Sequence, residues 1–281
     1  MPRRLETSLA FRAAAIAGFL AAVVPGQAED AAVDDKPGFL DQMTDRIAGV
    51  QVKVVANGES KPAVMIDRPV FRYSDQERRI SDATLWVWTD EGRPVALQKE
   101  EAGKFQEQDN WTVCFASLSP GLIDVSWPRD GRGFTTKTPG CEFQKLPDGP
   151  VPGANERLIA QQVRQAARRF SATHEWVNGG RSEARLLPRP IYEYSMKSPK
   201  VTGAVFGFAA HATNPDGYIL IEQRQAEADK GWYYACVRMT TSRIEVSLDG
   251  NKVWSCDEVP AEPKYFDNWT FFFEPRPTTS N

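Results

Sequence analysis

The sequence predicts an α+β protein made of two tandem duplicated units, each one N-terminal helix followed by an antiparallel β-meander of about five to six strands. Three observations predict it: a self-match at an offset of 121 residues, a helical apolar period opening each copy, and a period of two after it. The self-match is anchored by Arg68-Pro69-Val70-Phe71-Arg72-Tyr73-Ser74, which returns as Arg189-Pro190-Ile191-Tyr192-Glu193-Tyr194-Ser195. At the same offset Asn57-Gly58 meets Asn178-Gly179, Glu101 meets Glu222 and Trp111 meets Trp232. Without gaps, residues 57–127 share 14 identities over 71 positions with their counterparts, against roughly 4 expected from ordinary composition.

Taken in chain order, residues 1–28 read as a signal peptide. Arg3, Arg4 and Arg12 precede an uncharged apolar run from Ala13 to Val24, and Gly26-Gln27-Ala28 supplies small residues for cleavage. The run is too short to span a bilayer, so no membrane span is expected after cleavage, and a secreted or periplasmic location follows. Residues 29–36 read as a flexible mature N-terminus, and the first repeat unit as 37–145. Its helix is expected over about 38–49, where Phe39, Leu40, Met43 and Ile47 share a face. Strands are expected at 64–73, 82–89, 94–99, 111–118, 122–127 and 132–136, rich in β-branched and aromatic residues.

Residues 146–154 carry the Pro and Gly content of a linker. The second unit, 155–259, opens with Asn155 as a helix cap and Ile159, Val163, Ala166, Ala167 and Phe170 on one face. Asp130-Gly131 and Asp249-Gly250 mark tight turns at matching places. Residues 260–281 form an aromatic C-terminal strand and tail, too apolar around Phe271-Phe272-Phe273 to stay in water.

Composition bounds the function. With 281 residues, 41% hydrophobic and 25% charged, the chain folds around a real core. A net charge of −3 without a basic patch excludes an electrostatic nucleic-acid binder. The four cysteines, Cys114, Cys141, Cys236 and Cys256, have no C-x-x-C spacing. In an exported chain they allow disulfides, by proximity Cys114 with Cys141 and Cys236 with Cys256, or buried free thiols. The only imidazoles, His174 and His211, lack metal-ligand spacing and read as surface or turn residues, so neither metal nor cofactor is expected. The adjacent acids Glu100 and Glu101, or Asp90 and Glu91, read as solvated charge rather than a catalytic pair.

The ungapped match also assigns faces. Leu85 and Val87 fall opposite Phe206 and Phe208, an apolar face in both copies, whereas Trp86 and Trp88 fall opposite Gly207 and Ala209. Two accounts of the indole pair follow: packing of a large face of one copy on a small face of the other, or an exposed ligand platform for a sugar ring. The repeat motif itself, Arg68, Pro69, Tyr73 and Trp111 with Arg189, Pro190, Tyr194 and Trp232, reads as scaffold, because the prolines hold the preceding Arg extended at a strand entry.

Segments of the second copy, Leu186 to Tyr192, Trp232 to Met239 and Val253-Trp254-Ser255, resemble those of uncharacterised bacterial secreted proteins. That resemblance implies export and no particular activity. The sequence therefore points to an exported non-catalytic binding or interaction protein whose partner is a protein, an envelope component or a carbohydrate. The alternative is a secreted hydrolase acting on a glycan or ester through unidentified carboxylates.

Overall fold

A computed structural model describes residues 38–56, 58–176, 179–260 and 264–276. The expected signal peptide, the mature N-terminus 29–36, Asn57 and Asn178 of the self-match, and the polar end 277–281 lie outside the described residues. The first half runs α1 (Phe39–Ile47), β1 (Gln51–Ala56), β2 (Glu59–Pro62), β3 (Val64–Met65), β4 (Phe71–Asp75) and β5 (Ile80–Asp90). It continues with β6 (Arg93–Phe105), β7 (Gln108–Ser117), β8 (Leu122–Trp127), β9 (Arg132–Thr135) and β10 (Gln144–Lys145). The second half runs α2 (Glu156–Ala167), β11 (Phe170–Glu175), β12 (Arg181–Leu186), β13 (Tyr192–Lys197) and β14 (Lys200–Ala209). Then come β15 (Gly217–Arg224), β16 (Gly231–Arg238), β17 (Arg243–Leu248), β18 (Asn251–Cys256), β19 (Lys264–Tyr265) and β20 (Trp269–Pro275). Among the described residues no helix is long and apolar enough to cross a membrane.

The predicted fold class is corrected. The described residues are mostly β, with two short α-helices and large curled antiparallel sheets, and they do not form two self-contained helix-plus-meander units. Strand order shows why. The opening strand of each half pairs across the sheet rather than only with its successor: β1 lies between β2 and β8, and β11 between β12 and β17. The sheets also cross the expected boundary, since β10 adds to β16 of the second half and β20 adds to β7 of the first. A period of two identifies strands but says nothing about which strand is the neighbour. The expected single strand 64–73 is likewise broken into β3 and β4 by a bend at Asp67-Arg68, just before Pro69, which has no N–H to give a ladder.

Three apolar layers separate the sheets. One lies inside the first half, where Trp86, Trp88, Val113 and Phe115 of β5 and β7 meet Val52, Ile123, Val125 and Trp127 of β1 and β8. The next joins the halves, with Leu85, Val87 and Leu97 packed in one cluster with Ile191, Val205, Tyr218 and Leu220. The third lies inside the second half, where Phe206, Phe208, Ile219 and Ile221 meet Ala172, Val246 and the α2 face of Ile159, Val163 and Ala166. α2 is held at its start by Asn155, whose Oδ1 accepts the Leu158 N–H at 3.0 Å.

The register overturns the face assignment made from the ungapped match. Val70 N–H donates to Leu85 O and Ile191 N–H to Val205 O, both at 2.8 Å, while Ile66 N–H reaches Val87 O and Leu187 N–H reaches Gly207 O, both at 2.9 Å. By these bonds β5 and β14 stand one residue off the 121 offset, and Trp86 and Trp88 take the places of Phe206 and Phe208. A register irregularity in β5 at Ile80/Asp82 absorbs the extra residue. Gly207 therefore answers Val87, and it must be small because a Cβ there would stand 2.9 Å from Ile191 Cδ1 and Pro215 Cβ.

Candidate functional site

Trp86 and Trp88 are 0% and 1% exposed, inside the first half's own core. The indole pair is not an open platform, and it packs among the first half's strands and Phe272 of β20 rather than on the small face at Gly207 and Ala209. Trp111 and Trp232 are also buried, the first against Met43 and Ala102, the second donating its indole N–H to Pro150 O at 2.6 Å. Arg68 and Arg189 are exposed at bends that lead into β4 and β13, with Pro69 and Pro190 half-buried beside them. Tyr73 and Tyr194 are buried and each donates to a carboxylate 28 residues on, Glu101 at 2.6 Å and Glu222 at 2.8 Å. The expected disulfides are absent: Cys114, Cys141, Cys236 and Cys256 are all free thiols, and Cys141 donates its S–H to Leu118 O.

The adjacent acids are corrected too. Glu100 and Glu101 are buried rather than solvated, and alternation along β6 sends them to opposite faces. Glu100 meets Arg46 at 2.7 Å and Gln98 at 2.7 Å, while Glu101 accepts from Tyr73. Burial pushes the Glu100 carboxyl up to about 6, against the pull of Arg46.

The site that sequence reasoning missed is a cleft of about 680 Å³ between the 138–143 segment and strands β16 and β18. Its size falls within the range that holds small ligands. Gly140 brings its near wall into place, since a Cβ there would overlap Ser117 O; its N–H donates to Ser119 O at 2.8 Å. Two guanidinium groups contact the Phe143 ring, Arg93 at 4.7 Å and Arg224 at 4.6 Å from its centre. Glu222 fixes both: Arg93 meets it through two bonds at 2.8 Å and Arg224 at 2.9 Å. Arg224 also reaches Asp229 at 2.7 Å. Both guanidinium groups of this wall are thus held by carboxylates behind them.

On the far side Arg238 lines the cleft beside Trp254, which is half-buried. Arg238 donates to the carbonyls of Thr240, Ser242 and Asp257, and its ring partner is Trp269 at 5.0 Å; among the described ion pairs no carboxylate meets it. Asn268 and Thr138 add polar groups, and Glu142 is the one carboxylate of the lining. Cys141, Cys236 and Cys256 complete the wall. Burial pushes all three thiols up, Cys141 to about 12, so they stand protonated at neutral pH and are poor nucleophiles.

A second polar cluster lies at the junction of the halves. Lys99 Nζ donates to Asn214 Oδ1 at 2.8 Å and to Pro215 O at 2.6 Å, Asn214 Nδ2 donates to Asp75 at 3.2 Å, and Arg78 meets Asp216 at 2.6 Å. His174, expected at the surface, is fully buried here and faces Asp216 Oδ1 at 3.9 Å. Burial would raise the Asp216 carboxyl, but Arg78 outweighs it and holds Asp216 below the usual range.

Comparison of the chain with protein-family models, with curated proteins and with solved structures finds no match.

Proposed function

We propose that the protein is an exported, non-catalytic binding protein that takes an acidic carbohydrate in the cleft walled by Phe143, Arg93, Arg224, Arg238 and Trp254. What carries this is the pairing in one concavity of an accessible indole with fixed cationic donors. An aromatic face accepts the apolar side of a sugar ring, and Arg238, without a carboxylate of its own, suits an acid group on the sugar. The N-terminal Arg-then-apolar segment supports export to the secreted or periplasmic space.

A hydrolase working through two carboxylates needs both across its cleft. Here the lining supplies Glu142 alone, and its thiols are held neutral. The same reading includes an internal duplication, supported by the two Tyr–Glu bonds and the paired Val70 and Ile191 ladder bonds.

Calorimetric titration with a uronic-acid oligosaccharide and its neutral counterpart tests the proposal. Saturable binding of the acidic sugar, weakened about tenfold by Arg238→Gln, or about 1.4 kcal/mol, is the expected result. Absence of binding to both sugars overturns it.

A further inference from the structure

The only two histidines of the chain flank one indole at the junction of the halves. Trp176 contacts His174 at 4.3 Å and His211 at 4.6 Å between ring centres, and the Arg78 guanidinium lies 5.0 Å over it. In the three side chains that contact this ring, Arg78 Nη2, both nitrogens of His174 and His211 Nε2 are buried and make no hydrogen bond to any described residue, and the same holds for Ser182 Oγ opposite His174 on β12. Such atoms are rare in folded proteins and mark a place where a change of charge is felt.

Asp216 is the pivot. Its Oδ1 accepts from Arg78, which comes from the β4–β5 turn of the first half, and its Oδ2 accepts the Ala210 N–H of the second half at 3.2 Å. The same Oδ1 is the carboxylate atom 3.9 Å from His174 Nε2. A protonated His174 would compete with Arg78 for it while sitting beside the Arg78 charge. We propose that His174 is an acid-sensitive latch: neutral, it leaves Asp216 to Arg78 and that tie between the halves holds; protonated, it takes Asp216 and leaves Arg78 to Asp75 of its own turn, 3.5 Å away.

The titratable and charged groups of this junction cluster come from several elements. Asp75, Glu77 and Arg78 lie on the end of β4 and its turn, Lys99 and Glu101 on β6, and His211 and Asp216 on the loop before β15. Strands β12 and β17 place the neutral Ser182 and Ile244 opposite His174. Burial holds His174 below the usual histidine range, helped by Arg78 and His211 and opposed by Asp216. An unfolded histidine takes its proton near pH 6.5, so with the folded value depressed this group's stability is complete above that pH and lost as pH falls.

Because the chain has two histidines, proton NMR of the ring Cε1–H groups gives two titration curves, assigned with His211→Gln. The His174 curve should have its midpoint below 6.5, and the Trp176 indole resonance should move with the same midpoint as Arg78 leaves it. His174→Gln should lessen the fall of the thermal midpoint between pH 7.5 and 5. Glu100 acts alike in both proteins and cancels from that difference. A His174 midpoint at or above 6.5 overturns the latch, as does a folded His174→Gln variant with unchanged pH dependence. If that variant does not fold, the wild-type titration decides alone.

Discussion

Tyr73 with Glu101 and Tyr194 with Glu222 make the same buried bond 121 residues apart, each beside a stacked aromatic, Phe71 or Tyr192, two positions earlier. Their surroundings differ. Glu101 has Lys99 at 4.0 Å, and that lysine spends its hydrogen bonds on Asn214 and Pro215 across the junction. Glu222 instead holds Arg93 from the first half and Arg224 from its own, and those two guanidinium groups both contact the Phe143 ring at the cleft. One acceptor lies beside a junction and the other braces a cleft wall. The Tyr–Glu bond is scaffold in both places, and the arginines added around Glu222 give that region its chemistry.

The largest effect should come from the ladder positions that both halves fill with an aromatic residue. Trp86→Ala and Phe206→Ala should each cost about 3–5 kcal/mol, read from denaturant midpoints, because each empties the core of its own half. An unchanged midpoint for Trp86→Ala would break the assignment of that face to the core. Glu222→Gln should cost about 3 kcal/mol by removing the charge that Arg93 and Arg224 share and turning an amide NH2 toward a guanidinium, and clearly more than Glu101→Gln. Equal losses would erase the distinction between the two regions.

Acid should separate the sites further. Glu100 titrates near 6 in the fold against about 4.3 unfolded, so its contribution is fully present below pH 4 and is lost as pH rises through 6. In Glu100→Gln that component, about 2 kcal/mol between pH 4 and 7, should vanish from the pH dependence of unfolding. The smallest effect, about 1 kcal/mol, is expected for Asn155→Ala, which removes the α2 cap. A loss beyond 2 kcal/mol would mean the cap also anchors the chain leading into the second half.

The strands between 64 and 136 were legible because alternation and β-branching are local, although β1 and β2 were not among those expected; so was α2, whose cap and apolar face are written in consecutive residues. Pairing was not. Nothing between Gln51 and Ala56 announces that β1 lies on β8, seventy residues later. The ungapped match also hid the irregularity in β5, and a shift of one residue exchanges the faces of a strand, which is why Trp86 and Trp88 seemed to be replaced by small residues. His174 carried a readable signal: Phe170, Ala172 and His174 alternate inward along β11. The cleft carried none, since Arg93, Phe143, Arg238 and Trp254 meet only through long-range packing.

The most direct test of the ligand seat uses the eight indole N–H resonances of the chain during titration with a uronic-acid oligosaccharide. A saturable shift of Trp254, with Trp86 and Trp88 unmoved, is the predicted result. Shifts at other indoles with Trp254 silent, or no shift at saturating sugar, would contradict the assignment of binding to the cleft.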